Sequence, residues 1–193
     1  MRRLSLAAAV AFVALSAHAA SSPLKAGVFD PPYAAPDFSL TGSNGADVKL
    51  SAFRGKVVLL GFGYSHCAYV CPTTLATLAK VHRKLGASGK DLQVVYVTVD
   101  PERDGPRQLH DYLAAFDPSF IGATGTSPEL AKVRQAYGIT SNKLAIGKDS
   151  VDYYFDHSSS VYLIDREGRL RAMMPYGHGV DDFAHDVAIL LKQ

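Results

Sequence analysis

Two cysteines carry the most direct chemistry in this chain. Cys67 and Cys71 stand in the run Gly63-Tyr64-Ser65-His66-Cys67-Ala68-Tyr69-Val70-Cys71-Pro72, and the 193 residues contain no others. With three residues between them, the thiols could form a structural disulfide, act as a redox pair, or hold a metal ion. A structural disulfide here would close a loop of only about five residues, for which chain entropy gives roughly 2 kcal/mol. A chain of this length does not need that staple. A thioredoxin-type redox motif has two intervening residues rather than three. The longer loop still permits a disulfide, and it also lets two sulfurs embrace an ion. Thiolates are soft ligands suited to Cu(I) or zinc. Two of them leave a site incomplete, so a third ligand is expected elsewhere.

Seven histidines are present. His18 falls in the N-terminal apolar segment. His66 adjoins Cys67 but is expected to point away from it. His82 falls on the apolar side of a predicted helix, as a satisfied core histidine would. His110 and His185 fall on helices without cysteine neighbours. His178 sits in the Gly-rich loop Tyr176-Gly177-His178-Gly179 and remains a candidate. His157, in Asp156-His157-Ser158-Ser159-Ser160 just before an apolar strand, is the strongest choice. Met173 and Met174 read as strand residues of the core.

The elements that must position these side chains alternate between strand and helix. Val57 to Phe62 is an unbroken apolar run, as in a strand buried on both faces. Pro72 to Leu85 repeats its leucines at helical spacing, with the proline at the first helical position. Because proline disfavours the α region for the residue before it, the helix is expected to start after Cys71. The pair then lies in a loop at a helix N-terminus, where the helix dipole favours a thiolate. Val94 to Val99 reads as a second buried strand, 106–116 as a helix and 120–124 as a short strand. Ser127-Pro128-Glu129 is expected to open a helix that Gly138 ends. Ser160 to Asp165 and Leu170 to Met174 read as a hairpin, and Asp181 to Leu191 as a closing helix. The order β-α-β-α-β-α-β-β-α implies an α/β sandwich with a central mixed sheet flanked by helices. In a thioredoxin-like fold of that kind, active thiols sit between the first strand and its following helix.

The N-terminus reads as a targeting segment. Arg2 and Arg3 precede an apolar stretch from Leu4 to Leu15, and Ala17-His18-Ala19 fits a cleavage site. Residues 1–19 are therefore expected to be a signal peptide, 20–35 a flexible leader and 36–193 the folded domain. The formal charge is +2, and loss of Arg2 and Arg3 leaves zero. A neutral chain has no electrostatic footprint for nucleic acid and no basic stripe for an anionic membrane surface. Export places the thiols where disulfides form and persist.

Gly61 to Cys67 with Cys71-Pro72, Val99-Asp100-Pro101-Glu102-Arg103-Asp104, and Asp156-His157 with Val161 to Ile164 together resemble the Sco (SenC/PrrC) copper chaperones. Phe53-Arg54-Gly55-Lys56 and Gly122-Ala123-Thr124-Gly125-Thr126 add to the resemblance, which runs from about Pro36 to the C-terminus. It implies a thioredoxin-like fold with additional N-terminal and hairpin elements. It implies that Cys67, Cys71 and His157 bind one copper ion, Cu(I) or Cu(II). It also implies delivery to the CuA centre on a cytochrome c oxidase subunit, or thiol chemistry that prepares that centre. A periplasmic monomer is expected, with other copper carriers or thiol reductants as further partners. The alternative is a thiol–disulfide oxidoreductase with Cys67 and Cys71 as its redox-active pair. A thiol peroxidase fits the close second cysteine and the His157 loop less well. Ala68 and Tyr69 depart from the Pro-Asp that the family often places after its first cysteine. The Asp100 to Asp104 segment has two readings, an acidic shell behind the metal loop or a simple helix-entry turn.

Overall fold

A computed structural model describes residues 23–147 and 152–193. The signal peptide expected over 1–19 lies outside the described residues. Strand β4 (Val57–Gly63) is the centre of the molecule and is buried at every position. Its continuous apolar run needs cover on both faces, and helices supply it. From β4 the chain enters helix α1 (Val70–Leu85) and returns as β5 (Leu92–Thr98), parallel to β4 and equally buried. Helix α2 (Pro106–Ala114) then leads to β6 (Ile121–Thr124), parallel to β5. Helix α3 (Ser127–Ala136) follows, and Gly138 leaves it with a φ of +66°. Its cap is Thr126, one residue earlier than the sequence suggests. The Thr126 hydroxyl accepts from the Glu129 N–H while the Glu129 carboxylate accepts from the Thr126 N–H, a reciprocal capping box.

The closing hairpin is β9 (Val161–Ile164) and β10 (Arg169–Met174), followed by α4 (Val180–Leu190) against α1. Asp165 sets the turn, its carboxylate accepting from the Glu167 and Arg169 N–H groups. Two shorter strands, β2 (Ser39–Gly42) and β3 (Asp47–Lys49), form a hairpin at the far edge beside β6. The eight-stranded mixed sheet runs β1 (Gly27–Ala34), β10, β9, β4, β5, β6, β2, β3. Met174 is fully buried and Met173 packs at the core's rim, as their strand position requires.

Two elements differ from the sequence reading. Residues 20–35 were expected as a flexible leader, yet Gly27–Ala34 forms strand β1, antiparallel to β10. Its Pro31 and Pro32 are tolerated because it is an edge strand with an irregular register. The fully buried Asp186 of α4 holds its entry by accepting from the Lys25 and Ala26 N–H groups. The second difference is a separate two-stranded ribbon, β7 (Ser141–Ala145) with β8 (Tyr153–His157), where a loop was expected. Among the described residues, no helix is long and apolar enough to cross a membrane.

Candidate metal centre

The site lies where β4 ends and α1 begins. Helix α1 starts at Val70, so Cys71 stands inside its first turn rather than ahead of it. The preference against helix before proline is overridden there because Pro72, still in the first turn, forfeits no intrahelical hydrogen bond. Tyr69 caps the helix without any side-chain hydrogen bond. Cys67 fills that role instead, its Sγ accepting from the Cys71 N–H at 3.4 Å. A sulfur at a helix N-terminus meets unpaired N–H groups and the positive end of the dipole.

His157 arrives from the last position of β8. Its Nε2 stands 3.6 Å from Cys71 Sγ. Its Nδ1 is 2.8 Å from the Ser158 carbonyl, so Nδ1–H donates there and Nε2 is left facing the sulfurs. The two Sγ atoms and the imidazole nitrogen all lie within 4.8 Å of one another, and among the described residues no other group of three such ligands occurs. With bonds of about 2.0–2.3 Å, one ion can be gripped by all three after a small contraction. Three ligands leave a coordination position open, unlike a closed four-ligand structural site.

The two thiols are unlike. Cys71 is buried and Cys67 partly exposed. With Cys71 S–H as donor the Cys67 thiol falls far below its usual range, and backbone N–H groups lower it further. The same bond, together with burial, pushes the Cys71 thiol up. Iodoacetamide at pH 6 should therefore alkylate Cys67 at least about tenfold faster than Cys71, whereas an ordinary cysteine, with a pKa near 8.5, would be almost inert. Peptide mapping by mass spectrometry reads this directly, and equal labelling of both thiols would contradict it.

The segment after β5 holds the site from behind. Asp104 is fully buried, and its carboxylate accepts from the Ser65 N–H, the Ser65 hydroxyl at 2.5 Å and the Thr98 hydroxyl at 2.7 Å. This anchors the residue two before Cys67. Asp100, also fully buried, pairs with Arg103 at 2.5 Å and accepts from the Tyr153 hydroxyl at 2.9 Å. Arg103 donates to the Tyr153 carbonyl and lies 3.8 Å over the Tyr153 ring. Lys143 stacks on the same ring and pairs with Glu102 at 2.6 Å. Tyr153 and Lys143 belong to the ribbon that carries His157. The acidic segment is thus a supporting shell that clamps both halves of the site, and the simple helix-entry reading is set aside.

The other histidines have separate roles. His82 is satisfied by Asp117 and the Gly89 carbonyl. His66 is exposed and meets the Ser65 hydroxyl. His110, His178 and His185 pair with Asp111, Asp182 and Asp186. Sequence reasoning missed Tyr64, whose ring packs against His157 and whose hydroxyl accepts from the Phe155 N–H. It also missed Tyr96, a tyrosine in an otherwise aliphatic buried run, which was the available signal.

Fold and site together define a thioredoxin-like domain with a Cys-x3-Cys pair and a distant histidine. The SCO1/SenC family profile matches residues 29–192, and the chain belongs to that family. It is 34% identical over 157 residues to the mitochondrial SCO1 homolog 1 of Arabidopsis thaliana, covering 81% of this chain and 46% of that protein. It is 34% identical over 133 residues to a SCO2-like protein of Rickettsia conorii, covering 69% of this chain and 65% of that one. The chain therefore spans about half to two thirds of the length of these curated relatives. Bradyrhizobium japonicum ScoI with copper bound superposes with a TM-score of 0.74 at 35% identity, over 82% of this chain and 99% of that one. Arabidopsis thaliana ScoI with copper bound gives a TM-score of 0.75 at 33% identity, over 82% and 99%.

Proposed function

We propose that this chain is a periplasmic copper carrier that supplies the CuA centre of cytochrome c oxidase, with Cys67, Cys71 and His157 holding one copper ion as cargo. The observation that carries this reading is the convergence of the three ligand atoms within 4.8 Å from two separate parts of the fold. It is supported by the copper-bound relatives at 33–35% identity. The structural neighbour BsSco is a member of the Sco family of cytochrome c oxidase assembly proteins. The expected leader at 1–19 supports export, and the domain acts as a monomer in this reading.

Two thiolates favour Cu(I), and imidazole extends the site to Cu(II). The open position lets an incoming ligand from the partner bind before one of these three leaves, so the ion is never released free. When a partner disulfide takes two electrons from the pair and leaves as a dithiol, the Cys67–Cys71 bond forms and both anionic ligands are lost. Copper loading is thereby tied to redox state. Affinity should fall with pH, because protons compete for all three ligands.

Titration of fully reduced protein should show one Cu(I) per chain. The disulfide form, and the Cys67→Ser/Cys71→Ser double variant, should retain none. One tightly held Cu(I) in either would overturn the reading.

The asymmetry of the thiols favours a second reading, a thiol–disulfide oxidoreductase. The partly exposed Cys67 thiolate would attack a partner disulfide and expel one partner thiolate. Cys71 would then attack the mixed disulfide, releasing the second partner thiol and leaving Cys67–Cys71 oxidised. Reductase turnover that survives His157→Ala, with no copper retained by wild type, would favour it.

A further inference from the structure

Tyr96 stands on β5, opposite Gly61 and one side-chain layer below the cysteine loop. It is 3% exposed, and its hydroxyl is buried without a hydrogen-bond partner at regular geometry. Two tyrosines closer to the loop and ribbon are bonded: Tyr64 accepts from Phe155, and Tyr153 donates to Asp100. A buried, unpaired phenol costs about 1–3 kcal/mol, whereas phenylalanine in the same slot would cost nothing of that kind.

The polar atom beside the hydroxyl is Cys71 Sγ. Both crowd the space over Gly63, where an added Cβ would lie 1.9 Å from the Tyr96 oxygen and 2.7 Å from that sulfur. The glycine is what lets the two approach over the end of β4. Tyr96, Cys71 and His157 line one small cavity of about 10 Å³. That is at the lower limit of room for a water, so the sulfur is the partner within reach.

We infer that Tyr96 is a positioning residue whose hydroxyl donates a hydrogen bond to Cys71 Sγ, both in the reduced metal-free pair and when that sulfur is copper-bound. The bond fixes the direction of the sulfur's lone pairs and draws electron density from them, so it tunes the metal–thiolate bond. It rests on the reading of Cys67, Cys71 and His157 as the copper site only for its copper arm. The dithiol arm stands without metal.

The test is Tyr96→Phe, with Tyr112→Phe as the control. Tyr112 is half-buried, its hydroxyl is likewise without a hydrogen-bond partner, and its ring centroid lies 6.5 Å from that of Tyr96. In the Cu(II)-loaded protein, losing the donor raises the energy of the sulfur lone pairs. The sulfur-to-copper charge-transfer band should therefore move to longer wavelength in Tyr96→Phe. In metal-free protein equilibrated with dithiothreitol, two electrons and two protons pass to the disulfide as the reagent closes to its cyclic disulfide. The donor stabilises the reduced pair. Its loss should shift that equilibrium about tenfold toward the disulfide, or about 30 mV to more negative potential. Thermal stability of the disulfide form should hold or rise, since there the hydroxyl has lost its thiol partner and phenylalanine removes an unsatisfied group.

An unmoved band and an unmoved potential in Tyr96→Phe would overturn the inference, as would equal shifts in Tyr112→Phe. A fall in stability without a shift in either readout would mark a purely structural tyrosine. If wild type binds no copper, the copper reading fails, and the dithiothreitol equilibrium still decides the role of Tyr96.

Discussion

Replacement of His157 by alanine should lower Cu(II) affinity by more than about 100-fold, since even loss of a group that merely supports a ligand costs 10–100-fold. Cu(I) affinity should fall less, because the soft thiolates carry most of that bond. The fold should survive the change. His157 is only partly buried, sits at the end of a ribbon outside the main sheet, and outside the site its ring nitrogens bond its own neighbour's carbonyl. Competition against chromogenic chelators for each oxidation state, alongside a thermal melt, separates the effects. The single result that would remove His157 from the site is unchanged affinity for both ions in a well-folded variant.

Arg103→Ala should damage stability and copper binding together. Arg103 is the cation opposite Asp100, whose side chain is 1% exposed. Removing one member of such a pair leaves a buried charge alone and costs about 3–5 kcal/mol. Arg103 itself is 24% exposed, so the lower end applies. The same substitution strips Tyr153 of its carbonyl contact and of the guanidinium over its ring. The ribbon then loses its clamp, and copper affinity should drop about tenfold, the lower range for loss of a supporting group. Arg103→Lys should restore the charge but not the planar fork or the full stacking, giving an intermediate phenotype. Chemical denaturation and Cu(I) titration measure both effects. A variant that loses 3 kcal/mol yet binds copper as tightly as wild type would show that the clamp does not position His157.

The core of the fold was legible because its signals are strong. Val57 to Phe62 and Val94 to Val99 are continuous apolar runs, and both are central strands. The hairpin around Gly168 announced itself by a turn sequence between two apolar segments. The cysteine pair and His157 were also legible, although their convergence was implied by resemblance and not by any pattern within one segment. What escaped reading has weak local signals. Strand β1 carries two prolines and is paired on one side only. The ribbon β7–β8 is largely solvent-facing: β7 is exposed at four of its five positions, and β8 has no fully buried residue, so neither carries the strong apolar signal of a core strand. The helix start was misplaced because a local preference at Cys71 gave way to the first-turn position of Pro72. Tyr96 and Arg103 act through distant partners, and a sequence does not show what a side chain will face across a fold.

The ribbon's separateness from the eight-stranded sheet has a kinetic consequence. Two ligands are bolted to the rigid centre, and the third rides on an arm whose attachment runs through Tyr153, Arg103 and Lys143. How long an ion dwells is then set as much by that attachment as by the bonds to the ion. Substitutions that never touch the metal can lengthen or shorten its residence time while its equilibrium coordination stays the same.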